Sequence, residues 1–378
     1  MSEYQYYEFQ AIDRPLGGAD QEDLRALSTR ARITATSFTN SYEWGDFKGD
    51  PAKLMENWFD LHLYLANWGS RRLMIRWPVH LVDRNLLDAF LGEVDGAELR
   101  RAGQNLILDT AFDEVEVQDW DDGSSWLAAL APLRADVLGG DLRLFYLLWL
   151  SAVEADVFEP DELEPLPGIG PMTGALEAFV EFFNIDRDLV AAAAERGADP
   201  LADKQASSKA VKSVIAAMTG PEKTSFLTRL FDGDAHVGNE LRALVRQRLT
   251  PPTETRAVPV RTVGDLRARA KAIRQARERA LAEKAAAERK RREEETERSH
   301  RAQLDAIARR GETVWREIET EIERRNATGY DRATSLLLDL MAISKEKGAP
   351  EDFLGRLQEI RNRHARKERL IERLAKLG

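Results

Sequence analysis

The chain has 378 residues, of which 43% are hydrophobic and 32% charged, with a net charge of −10 and no cysteine. That length exceeds one typical core and predicts two or three folding units. The lack of cysteine excludes disulfide staples and thiolate metal sites. Met1-Ser2-Glu3-Tyr4 opens no secretory signal, and the longest apolar run, at 142–152, is too short to span a bilayer. The expectation is a cytoplasmic protein that stays out of the membrane.

Charge and aromatic residues are spread unevenly. Lysine and arginine against aspartate and glutamate give about −21 over residues 1–240 and about +11 over 241–378. Seven of the eight tryptophans lie in the first 150 residues, which puts the largest core there. The basic C-terminal half reads either as wet helix surface attracted to the acidic half or as an arm for an acidic partner.

In chain order, residues 4–12 predict a strand with Tyr7, Phe9 and Ala11 on one face and Tyr4, Tyr6 and Glu8 on the other. Asp20 reads as the cap of a short helix through Leu24 and Leu27, and the threonine-rich run 32–42 as a second strand. Asp50-Pro51 starts a helix, and the apolar pattern carries it from 53 to 67 as the centre of the core. Residues 70–77 predict a strand that places Arg72 and Arg76 on one face, candidate anion contacts unless nearby carboxylates take them. A helix at 84–91, strands at 106–108 and 114–117, and helices at 126–138 and 142–157 complete an α+β domain over residues 1–158. Glu114, Glu116, Asp119, Asp121 and Asp122 form an acidic cluster that fits no calcium or nuclease template, so no metal or other cofactor is expected.

Prolines and glycines fill 159–174, a linker or an ordered loop, and Gly168-Ile169-Gly170-Pro171 lacks the lysine of a phosphate cradle. Residues 175–250 read as three or four short helices in a bundle, with Asp234 and His236 between two of them at a helix cap. After a proline-marked linker at 251–260, residues 261–325 run without proline in alanine, arginine, glutamate and lysine. That composition is a long charged, coiled-coil-like helix. Its seam begins with Leu266, Ala270 and Ile273, dissolves into charge, and returns at Val314, Ile318 and Ile322; Gly311 is the expected break. A C-terminal helical hairpin at 328–378 ends in an amphipathic tail suited to a partner groove.

The opening Glu3-Tyr4-Gln5-Tyr6-Tyr7-Glu8-Phe9-Gln10-Ala11-Ile12-Asp13-Arg14-Pro15-Leu16, with Ala31-Arg32-Ile33-Thr34, Asn67-Trp68-Gly69 and the late His364-Ala365-Arg366-Lys367, resembles an uncharacterised family of bacterial proteins. The resemblance runs the full length and implies a bacterial cytoplasmic origin, without an activity or a catalytic residue.

The reading is a non-catalytic interaction or scaffolding component that presents its charged helix and hairpin to a protein partner, with a homodimer through the helix. The rival is a nucleic-acid-associated protein using Arg267, Arg274, Arg277, Lys290, Arg291 and Arg292 on phosphates. An enzyme in a pocket around Arg72 and Arg76 has no nucleophile or base to name from sequence.

Overall fold

The computed structural model describes residues 3–115, 120–197, 208–249 and 260–377, which belong to two compact units, Met1–Ala276 and Arg277–Gly378. The first is organised by seven strands: β1 (Gln5–Gln10), β2 (Arg32–Ile33), β3 (Ser37–Tyr42), β4 (Leu61–Ala66), β5 (Arg71–Pro78), β6 (Ala97–Ala102) and β7 (Asn105–Phe112). They form one sheet of order β2-β3-β1-β4-β5-β7-β6, antiparallel at every pairing.

Both faces of the sheet are covered, so the central strands are apolar on both sides. Leu61, Leu63 and Leu65 of β4 join Leu73, Ile75 and Trp77 of β5 in the larger core. That core is closed by α3 (Arg84–Leu91), α4 (Trp126–Leu130), α5 (Pro132–Leu138), α6 (Arg143–Glu154), α7 (Gly174–Phe182) and α8 (Arg187–Ala194). On the other face Phe9, Phe38, Met74 and Ile107 pack with Leu24 of α1 (Gly18–Leu27) and Leu54 and Met55 of α2 (Pro51–Asn57).

This doubly buried sheet corrects the expected helix over 53–67. Asp50 does cap α2, accepting from the Ala52 and Lys53 amides, but the helix ends at Asn57 and the chain continues as β4. A run such as Leu61-His62-Leu63-Tyr64-Leu65-Ala66 looks alike as a buried helix or a buried strand, and only pairing with β1 and β5 decides. Smaller corrections have local causes. Gly17 caps α1, and Asp20 instead sits three residues in and accepts the Gly17 amide at 2.9 Å. The strand expected over 32–42 is divided because Thr34 turns back on Ser37, amide to carbonyl at 2.9 Å and hydroxyl to hydroxyl at 2.7 Å. Pro132 splits the helix expected over 126–138 into α4 and α5. β6 was not expected, because as an edge strand it buries only Leu99. The strand expected over 114–117 lies in part outside the described residues, as does the linker expected over 251–260.

The proline- and glycine-rich stretch is an ordered loop. The Tyr146 hydroxyl donates to Glu164 at 2.6 Å, the Arg261 guanidinium binds the same carboxylate at 2.9 Å, the Arg261 amide donates to that carboxylate at 2.9 Å, and the Glu164 amide donates to the Arg261 carbonyl at 2.9 Å. This buried pair fixes Arg261, two residues before α12 (Val263–Arg310), whose Val263, Leu266 and Ala270 lie in the larger core. Over 175–250, expected as a bundle of three or four short helices, the described residues carry five: α7 and α8, which pack in the sheet's larger core, and α9 (Ser208–Ala217), α10 (Gly220–Phe231) and α11 (Val237–Leu249).

In the second unit α12 runs on to Arg310 and stops at Gly311, whose φ of 50° is the left-handed region glycine favours. The apolar stripe of α13 (Glu312–Glu323), Val314, Ile318 and Ile322, is fully buried with Leu337 of α14 (Ala327–Glu346) and Leu357 of α15 (Pro350–Arg363). The tail expected to seek a partner groove is instead spent at home: Leu370 and Leu374 of α16 (Glu368–Leu374) and Leu377 are buried in this same core. No helix among the described residues is long and apolar enough to cross a membrane.

Candidate functional site

Strand register places a polar and aromatic patch on the sheet face shared with α1 and α2. Tyr7 stands opposite Tyr64, Tyr64 opposite Arg72, and Arg72 opposite Ala111. One row along, Phe9 stands opposite His62, His62 opposite Met74, and Met74 opposite Asp109. Residues two apart on a strand share a face, so the two rows lie side by side. Of these rows Tyr7, His62, Tyr64, Arg72 and Ala111 line a cleft of about 300 Å³, together with Phe47, Gly49, Pro51, Ser70, Arg71 and Asp113.

His62 is the central oddity, an imidazole fully buried in a strand. Its ring is stacked on Phe9 with centroids 3.9 Å apart and planes 14° apart. Nδ1 lies 3.0 Å from the Glu8 carbonyl, which can only accept, so Nδ1 carries the proton and Nε2 the lone pair. Nε2 is buried and has no hydrogen-bond partner among the described residues. Burial pushes the His62 pKa down to about 3, helped by the Arg72 charge and opposed by the Glu8 carbonyl. The ring is therefore a neutral acceptor at physiological pH.

Arg72 donates through Nε and Nη2 to the two oxygens of Asp109, at 2.7 and 2.6 Å, and Nη1 has no acceptor among the described residues. The Tyr7 and Tyr64 hydroxyls both donate to Gln5 Oε1, at 2.8 and 3.3 Å. Burial raises both phenols above their ordinary pKa, so they remain protonated donors. Beside them Ser70 donates to Asp113 at 2.6 Å and receives the Trp68 indole N–H at 3.0 Å.

Arg72 and Arg76, read together from the sequence, are put to different uses. Arg76 binds Asp60 at 2.9 Å and the Met55 and Glu56 carbonyls at 2.8 and 3.1 Å. Asp60, with no exposed surface, also takes the Ile12 and Asp13 amides at 2.6 and 2.9 Å and faces Arg134 at 3.5 Å. Arg134 donates to Asp13 at 2.6 Å, and His236 meets the same carboxylate at 3.0 Å. Burial acts to raise the Asp13 pKa, yet the bonds from His236 and Arg134 outweigh it and hold the group at about 2. This network is structural cement, and of Arg72 and Arg76 only Arg72 lines the cleft.

Elsewhere the charges are mostly spoken for. Asp121 accepts from the Gly123 amide and the Trp126 indole, and Asp122 from the Ser124 amide, while Glu116 and Asp119 lie outside the described residues. Among the described residues no group of three or more His, Asp or Glu is placed to hold a metal ion. On α12, Arg267 binds Asp156 at 2.8 Å and the Val153 carbonyl at 2.9 Å, and Arg274 binds Asp186 and Asp188. Arg277, Lys290, Arg291 and Arg292 are exposed, with Lys290 3.9 Å from Glu294. His62 was missed as a site residue because nothing in a leucine-flanked histidine signals an unpartnered nitrogen. No family model, no curated protein and no solved structure matches the chain.

Proposed function

We propose that the chain is a non-catalytic interaction component whose partner surface is the exposed part of α12. The observation that carries this reading is that every residue from Arg274 to Gln303 is exposed. A helix with no buried stripe rests on propensity and side-chain pairs worth about 0.2–0.5 kcal/mol each, so its length serves something other than the core. The segment has ten basic and seven acidic side chains, a mixture suited to a protein of mixed charge better than to a polyanion. Its pattern is self-complementary: the basic block Arg289, Lys290, Arg291 and Arg292 is followed at once by Glu293, Glu294 and Glu295. An antiparallel second copy would set each block against its opposite, which makes a homodimer the assembly to test first.

The test is light scattering on three proteins: the parent chain, one with Glu293, Glu294 and Glu295 changed to Lys, and one with the basic block changed to Glu. Dimeric parent, monomeric variants and recovery of the dimer on mixing the two variants is the expected result. Monomeric parent at every concentration, or variants as dimeric as the parent, would sink the homodimer. The same exposed basic block is what favours nucleic acid as the second reading. That reading requires a mass shift with a duplex at about 50 mM salt that is lost by about 200 mM, since log affinity falls by about 0.9 per phosphate contact per log unit of salt.

A further inference from the structure

One end of the sheet in the first unit carries an exposed aromatic surface, separate from the exposed stretch of α12. We propose that it docks an arginine-rich segment of a protein partner, whose guanidinium groups lie on tryptophan rings and pair with the carboxylates around them. Trp44, Trp68 and Trp120 are 73%, 48% and 69% exposed, whereas Trp77 has no exposed surface and Trp149 only 5%. Strand register gathers the three exposed rings. Gln5 pairs with Tyr42 on one side and with Ala66 on the other, so Trp44, two residues past Tyr42, and Trp68, two past Ala66, leave the sheet at the end where Tyr4 enters it. The Asn67 amide donates to the Tyr4 carbonyl and the Tyr4 amide to Asn67 Oδ1, both at 3.0 Å, which ties the turn between β4 and β5 to that point. Trp120 joins through its ring, centred 4.9 Å from that of Tyr4. Neighbouring strands lie about 4.8 Å apart, so from β3 across β1 to β4 is on the order of 10 Å, which an extended peptide covers in about three residues.

Charge around the rings selects the partner. Glu43, Asp46, Asp113, Asp121 and Asp122 lie at this end, and none of them forms a salt bridge among the described residues. Their hydrogen bonds come from neutral donors: Gln5 Nε2 to Asp46 at 3.0 Å, the Ser70 hydroxyl to Asp113 at 2.6 Å, and the Gly123 and Ser124 amides to Asp121 and Asp122 at 2.8 and 2.9 Å. Burial raises the Tyr4 pKa, and the charges of Asp122, Asp121 and Glu43 raise it further, the mark of a negative field at that phenol. Such a field draws cations and repels phosphates and acidic peptides. Arginine suits the surface better than lysine, because its planar and weakly hydrated guanidinium stacks on an indole while its edge donates to a carboxylate. Tryptophans of this kind are where interface energy concentrates once a partner removes them from water.

The experiment titrates the full chain with octa-arginine and with octalysine by calorimetry, recording tryptophan emission, at about 20 and about 200 mM salt. Octa-arginine should bind about fivefold tighter than octalysine and shift the emission to the blue as indoles leave water. Trp44→Leu with Trp68→Leu changes two exposed side chains and should weaken octa-arginine about tenfold, cancelling its advantage over octalysine. Asp46→Asn with Asp113→Asn keeps an acceptor for Gln5 and Ser70 and should also weaken binding about tenfold. Glu22→Gln with Asp23→Asn removes the same charge from exposed positions on α1, which follows the other end of β1, and should leave binding within about twofold. Equal binding of the two peptides, or equal loss in both charge variants, would reduce the effect to the pull of an acidic protein on any cation. Binding that appears only when Arg289, Lys290, Arg291 and Arg292 are changed to Glu would give the surface to the chain's own basic block. Either result, or no heat with octa-arginine at the lower salt, overturns the proposal.

Discussion

The sheet of the first unit and the exposed stretch of α12 solve the problem of carrying charge in opposite ways. Around the sheet, several buried charged groups are answered by partners well removed in sequence: Arg134 by Asp13, Arg76 by Asp60, Arg261 by Glu164. On α12 between 278 and 303 the charges stay in water, where a pair such as Lys290 and Glu294, four residues apart and 3.9 Å from each other, adds little. In the first region a charge is a fixed part of the architecture, and removing it strands its partner. In the second it is one small increment among many.

The largest expected effect of that difference is at Asp60. Asp60→Ala leaves Arg76 in the interior without its carboxylate, takes one of two nearby carboxylates from Arg134 and leaves two amides without an acceptor, a loss of about 3–5 kcal/mol. Because most tryptophans lie in the first unit, urea unfolding followed by tryptophan fluorescence reads it directly. A shift below about 1 kcal/mol would show that the buried network relaxes as easily as a surface pair.

His62 gives the next effect, through pH. Its native pKa of about 3 lies below the unfolded value of about 6.5, so the unfolded chain takes up a proton that the native state refuses. Stability from this group is complete above about pH 6.5 and falls with acidification, by about 3 kcal/mol at pH 4.5. The slope should be missing from His62→Phe when the two urea midpoints are compared across that range. Asp13 behaves likewise at lower pH, its contribution present above about 4 and lost as the pH falls through about 2. Equal slopes in parent and variant would place the His62 proton uptake in the native state.

The smallest effect belongs to the helix. Ala285 is exposed on α12, and Ala285→Gly should cost the local helix about 1 kcal/mol, seen as lower ellipticity at 222 nm in the full chain. The fluorescence midpoint of the first unit should not move. If it does, the segment is coupled to a core in a way its exposure does not account for.

Much of this was legible in the residues, and the reason differs by region. The α+β first unit, the long charged helix, its break at Gly311 and the stripe Val314, Ile318 and Ile322 follow from short-range rules: two- and 3.6-residue periods, proline at a helix start, glycine where φ is positive. Of the site, the sequence showed that Arg72 and Arg76 share a strand face and that carboxylates were available to them. It did not show that Asp109 would hold one and Asp60 the other, for those partners lie 37 and 16 residues away.

Local pattern was silent wherever an element is buried on both sides or meaning depends on a distant strand. β4 reads as helix until β1 and β5 pair with it, β6 scarcely reads at all, and Glu164 and Arg261 are joined across 97 residues. His62 is the sharpest case: its Nδ1 bond, its stack on Phe9 and its bare Nε2 all arise from neighbours on adjacent strands. Amino-acid order carries propensity and periodicity, which act over a turn or two of chain. Which polar atom ends up buried, and whether anything meets it there, is set by the pairing register of strands far apart in sequence.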